Sequence, residues 1–75
     1  MKLPRLSGRG VIKALAKAGY SPVRQKGSHV ILLKQLEKGK KLVVVPNHKE
    51  VDKGTLLEII RQSGLTKEDF LKLVN

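Results

Sequence analysis

An α+β fold is the class this sequence predicts: helix, three strands, helix, helix, with a three-stranded antiparallel sheet covered on one face by the helices. Two observations predict it. Apolar residues recur at helical spacing near both ends of the chain, and between them lie three short β-rich runs joined by tight glycine-containing turns. Three strands in succession with such short connections form an antiparallel meander. The chain has 75 residues, which makes one domain at most, spanning 1–75, so helices and strands must share a single core.

Each element has its own signal. Ser7 is placed to cap a first helix in which Val11, Ile12, Leu15 and Ala18 share a face, and Gly19 is its left-handed stop. Gly8 and Gly10 weaken the first turn, and their bare backbone N–H groups near a positive helix end offer a place for a phosphate; ordinary fraying is the competing reading. "YSPVRQ" reads as a short strand, and Pro22, which has no N–H for a ladder, sets it at a sheet edge or gives it an irregular start. Lys26 and Gly27 supply a turn into a second strand over 28–35. Lys38 and Gly39 turn the chain into a third, "KKLVVVP". After the polar stretch "NHKEVDKG", Thr55 and Glu58 have the spacing of a capping box for a helix carrying Leu56, Leu57, Ile59 and Ile60, ended by Gly64. Thr66 then caps a last helix with Phe70, Leu71 and Val74 facing inward. Along the second strand, His29, Ile31 and Leu33 point to one side and Val30, Leu32 and Lys34 to the other. Both sets are largely apolar, so periodicity leaves open which side the helices cover.

Composition narrows the function. Sixteen Lys and Arg against six Asp and Glu give a formal charge of +10, far more than solubility asks of so short a chain, and the leading explanation is a polyanionic partner. Single-strand readers stack bases on several exposed rings. This chain has only Tyr20 and Phe70, which favours contacts to phosphate, sugar or duplex shape. The lysines are spread over every element and form no single basic helix face, so a membrane surface is not implied. There is no cysteine, hence no disulfide or thiolate zinc site, as suits a reducing cytosol. No signal-peptide pattern opens the chain, and no apolar run approaches the roughly 20 residues that span a bilayer. A soluble cytoplasmic protein is expected.

Three stretches carry a family likeness. "LSGRGVIKALAKAGY", "VRQKGSHVIL" and "VVVPNHKEVDKGTLLEIIRQSGL" resemble, in order and spacing, the HicA toxins of toxin–antitoxin modules. The most specific parts are "GSH" opening the second strand and "PNH…KGTL" leading into the second helix. The resemblance implies a fold like that of double-stranded-RNA-binding domains, endoribonuclease activity on mRNA (an mRNA interferase) and a HicB-type antitoxin as partner; no cofactor is expected. The catalytic histidine of the family falls on His29, with Gly27 and Ser28 as its neighbours, and His48 matches a second recurrent histidine. Gly10 departs from the pattern, since relatives often carry an acidic residue there.

The chemistry of such a reaction fits the residue types. RNA carries its own nucleophile, the 2′-hydroxyl beside the phosphorus, so a protein must take that proton, stabilise a negative phosphorane and help the 5′-oxygen leave. Histidine, with a reference pKa of about 6.5, serves as acid or base at neutral pH. In "KGSH", Lys26 brings charge, Gly27 permits close approach of a phosphate to the backbone, Ser28 offers a hydrogen bond, and His29 moves the proton. Arg24, two positions before Lys26, is expected on the same side of its strand and can grip a phosphate with two N–H groups. The plainer readings are a strand histidine bonded to a carbonyl, a solvated hairpin edge at Arg24 and Lys26, and a turn hydrogen bond at Ser28. His48, Glu50 and Asp52 alternate like metal ligands, but acidic residues before a helix answer to its dipole, and no metal site is expected. His48 is then a positioning or proton-transfer group, or simply part of a helix entry. "GSHV" is not a nucleophile elbow, and "KGTLLE" lacks the phosphate-loop spacing, so serine hydrolysis and nucleotide hydrolysis are unsupported. A non-catalytic module that binds duplex RNA by shape is the alternative.

Overall fold

The computed structural model describes residues 3–74. It runs α1 (Gly8–Lys17), β1 (Ser21–Lys26), β2 (His29–Leu36), β3 (Gly39–Pro46), α2 (Lys53–Ser63) and α3 (Lys67–Val74). The sheet is antiparallel in the order β1-β2-β3. This is the α+β architecture of the double-stranded-RNA-binding type that the sequence predicts. β1 is an edge strand, and its register slips between Pro22 and Arg24, the irregularity expected where proline interrupts a ladder.

Alternation along β2 sorts the two faces. Val30 and Leu32 are buried beneath the helices with Val43 and Val45 of β3. From α1 come Val11, Ala14 and Leu15, from α2 Leu56, Ile59 and Ile60, and from α3 Phe70. Tyr20, just before β1, is buried too, and its hydroxyl donates to the Ser63 carbonyl at 3.0 Å, which satisfies a polar tip that would otherwise be costly to bury. The other face, with His29, Ile31 and Leu33, lies open; Leu42 and Val44, the partners of Leu33 and Ile31, are 51% and 41% exposed.

Four local expectations shift. The first hairpin bends at Gly27 and Ser28, because Lys26 pairs with His29. Gly27 has φ +60° and, among the described residues, no non-glycine residue has a positive φ, the pattern of a two-residue turn with glycine at its first central position. The second hairpin bends at Glu37 and Lys38, and Gly39, with φ +105°, opens β3 opposite Leu36. α2 begins earlier than Thr55: Asp52 is its cap, accepting the Thr55 N–H at 3.1 Å, while the Thr55 hydroxyl donates back at 2.6 Å. A carboxylate both caps and answers the helix dipole, so it outcompetes the hydroxyl three residues on. In α3, Leu73 and Val74 pack against the core beside buried Phe70, and Leu71 does not. The first helix keeps its Ser7 cap and its turn at Gly19, φ +99°.

Candidate active site

The site is built at the end of the sheet where β1 turns into β2 and β3 departs toward α2. Lys26 and His29 face each other across the hairpin, and His29 in turn pairs with Pro46. The rung Lys26–His29–Pro46 therefore closes the open face at this end. The next rung is Arg24–Ile31–Val44, so Arg24 and Lys26 share the face of His29, as their spacing predicts. Arg24, Lys26, Gly27, Ser28 and His29 are all exposed. The imidazole thus stands on a rigid strand at the rim of the molecule, beside a turn whose backbone is bare at Gly27. Nothing would meet a Cβ within 4 Å there.

Pro46 ends β3, and the segment after it bends back over the turn. The Asn47 N–H donates to the Ser28 carbonyl at 2.6 Å, and the His48 carbonyl accepts the N–H of Gly8 at 2.8 Å. His48 is thereby clamped between the first hairpin and the start of α1, and its Nε2 lies 3.4 Å from the Ser28 hydroxyl. The clamp needs glycine at position 8, since a Cβ there would fall 2.7 Å from the Asn47 Cα and closer still to the Pro46 carbonyl. Sequence reasoning missed Gly8 and Asn47 as parts of the site. The only sequence signal is a glycine directly after a helix cap, where it costs helix propensity without serving a turn. Nor are Gly8 and Gly10 the phosphate receptors their position allows: the first N–H goes to His48 and the second to the Ser7 hydroxyl at 3.0 Å.

Other groups lie elsewhere. Asp52 is committed to the α2 cap, where the Thr55 hydroxyl and N–H hold its carboxyl below the ordinary 3.8. This accounts for its place after His48 and Glu50 without a metal. Lys38 and Lys40 sit at the opposite end of the sheet, six strand residues or about 20 Å from His29. Lys41 points to the helix side, its ammonium against Gly64 at the α2 C-terminus, where a cation complements the dipole. A concavity between Leu3, Arg5, Lys53 and Leu56 reaches neither histidine, and both histidines are exposed. Both aromatic rings, Tyr20 and Phe70, are buried and present no stacking platform. Among the described residues, no helix is long and apolar enough to cross a membrane.

Fold and site together define a small basic domain of the double-stranded-RNA-binding type with two exposed histidines at the head of its sheet. A family model described as the HicA toxin of bacterial toxin-antitoxin matches residues 8–65, from the first residue of α1 to just beyond α2. The chain belongs to the HicA toxin family, toxins that act within toxin–antitoxin modules and have an antitoxin as partner. A comparison with curated proteins finds no match.

Proposed function

We propose that this toxin is a metal-independent endoribonuclease that cleaves mRNA in the cytoplasm, with His29 as a proton-transfer group. The observation that carries the reading is an exposed imidazole fixed at the head of β2, on one face with Lys26 and Arg24 and next to the bare turn at Gly27. A phosphodiester laid on this rung meets two cations on its oxygens and the Ser28 hydroxyl within the turn, which stabilise charge as the phosphorane forms. His48, its Nε2 3.4 Å from the Ser28 hydroxyl, borders the same spot. Attack by the 2′-oxygen leaves one fragment with a 2′,3′-cyclic phosphate and the other with a 5′-hydroxyl.

His29→Ala is expected to slow cleavage by about 10² to 10⁴ while the fold and RNA affinity persist, because the residue is exposed. A labelled transcript incubated in EDTA checks both parts. Fragments ending in cyclic phosphate are the expected outcome, and full activity of the variant or loss of wild-type activity in the chelator contradicts the reading. A second reading, a non-catalytic module that holds duplex RNA by shape, is favoured by the basic surface with its rings buried. It predicts binding without fragments in the same assay.

A HicB-type antitoxin that silences this site would place carboxylates against Arg24, Lys26 and the lysines at the sheet's other end, with apolar contact at Ile31, Leu42 and Val44 between them. Such a grip weakens with salt, and affinity measured at low and high ionic strength tests it.

A further inference from the structure

The chain has two histidines, 19 positions apart, and the fold brings both to one residue. His29 follows Ser28 directly, and His48 reaches the Ser28 hydroxyl from the β3–α2 segment. His48 is exposed, yet the backbone on each side of it is tied down, by Asn47 to Ser28 and by its own carbonyl to Gly8. A surface loop histidine needs no such clamp. Gly8, with no room for a side chain, keeps α1 close enough to make it.

We propose that His48 is the second proton-transfer group of this site, His29 and His48 acting as general base and general acid on opposite sides of a phosphate held at the Gly27–Ser28 turn. The inference rests on the endoribonuclease reading and deepens it. In the reaction, the neutral imidazole takes the proton of the 2′-hydroxyl as the O2′–P bond forms. The protonated imidazole gives its proton to the 5′-oxygen as the P–O5′ bond breaks. One ring ends protonated and the other neutral, and exchange with water restores the starting pair. A lone histidine leaves one of these transfers to water; two, spaced by a phosphate, leave neither.

The test uses two variants and two substrates. His48→Ala removes the ring, while the carbonyl bonded to Gly8 belongs to the backbone and stays. His48→Gln keeps a hydrogen-bonding partner for Ser28 but cannot relay a proton. Both are expected to cleave ordinary RNA about 10² to 10⁴ more slowly than wild type. The second substrate carries sulfur in place of the bridging 5′-oxygen; a thiol is far more acidic than a ribose alcohol, so the thiolate leaves without a proton. Whichever histidine is the acid becomes dispensable on it. Recovery to the wild-type rate by the variants of one histidine, and not by those of the other, is the expected result. His48→Gln at the wild-type rate on ordinary RNA would show that His48 only steadies Ser28 and would overturn the proposal. So would variants at 29 and 48 that respond alike to the sulfur substrate. A wild-type protein that cuts neither substrate overturns the nuclease reading itself, whereas an active wild type with an inactive His29→Ala and an unimpaired His48→Gln removes only this inference.

Discussion

At Gly27 and Gly8 the same residue type is required for two different reasons, and substitutions separate them. Gly27 has φ +60° with open space around it, so its requirement is conformational. Asparagine, the side chain that best tolerates positive φ in hairpin turns, is strained there but has room, so it is expected to cost less stability than a side chain at position 8. Gly8 has ordinary helical backbone but would drive a Cβ into the Pro46–Asn47 backbone, so its requirement is steric. Gly8→Ala is expected to cost about 1–3 kcal/mol, the range for an overpacked site. It should also displace His48, lowering cleavage beyond what the loss of folded protein explains. Urea denaturation of both variants, with cleavage rates normalised to the folded fraction, checks the pair. Gly27→Asn as damaging to stability as Gly8→Ala would contradict the assignment.

At the scale of elements, the helix ends titrate in a definite direction. The carboxyl of Asp52 is held down chiefly by the Thr55 hydroxyl and N–H, and that of Glu58 by the Arg61 guanidinium to which it is paired. A folded pKa below the unfolded one means that the contribution is complete above the unfolded value and is lost as pH falls through the folded one. α2 is therefore expected to weaken below about pH 4. Asp52→Asn keeps a capping oxygen without the titration, and its stability profile, from urea midpoints across acidic pH, should be flatter than that of wild type. At α1, Ser7→Ala removes the acceptor for the Gly10 N–H and is expected to cost about 1 kcal/mol. The elements themselves were legible because their signals are local: apolar spacing in α1 and α2, proline at the edge of β1, glycine at each bend. Each hairpin slipped by one residue because glycine's place within a turn depends on which flanking residues pair, as Lys26 with His29. The face carrying His29 was illegible, since Ile31 and Leu33 are as apolar as Val30 and Leu32. It is settled by α1 and α2 covering the other side. His29, Ser28 and Lys26 could be read from one four-residue stretch, whereas the junction of Ser28 with His48 and Gly8 is tertiary and leaves no pattern within any window.

At the scale of the whole molecule, a charge of +10 on 75 residues makes salt act in opposite directions on folding and on function. Two of the six carboxylates are engaged within α2, by the Asp52 cap and the Glu58–Arg61 pair. With sixteen Lys and Arg against six Asp and Glu, positive charge predominates over the surface, and self-repulsion destabilises the compact state. Raising ionic strength from about 0.01 M to 0.15 M shortens the screening length from about 30 Å to about 8 Å. That is less than the molecule's 33 Å long axis, so repulsion between its two ends fades and the thermal midpoint is expected to rise. RNA binding runs the other way. Each phosphate contacted releases counterions, and log affinity falls by about 0.7 to 0.9 per unit of log salt. Arg24→Ala and Lys26→Ala should each lessen that slope by about one contact if both touch phosphate beside His29. The same two variants should melt slightly higher at low salt, because each removes one repelling charge. Melting curves and binding isotherms on a single salt series measure both effects. A thermal midpoint that falls with salt, or a binding slope unchanged in both variants, would mean that the charge is balanced or used in some other way.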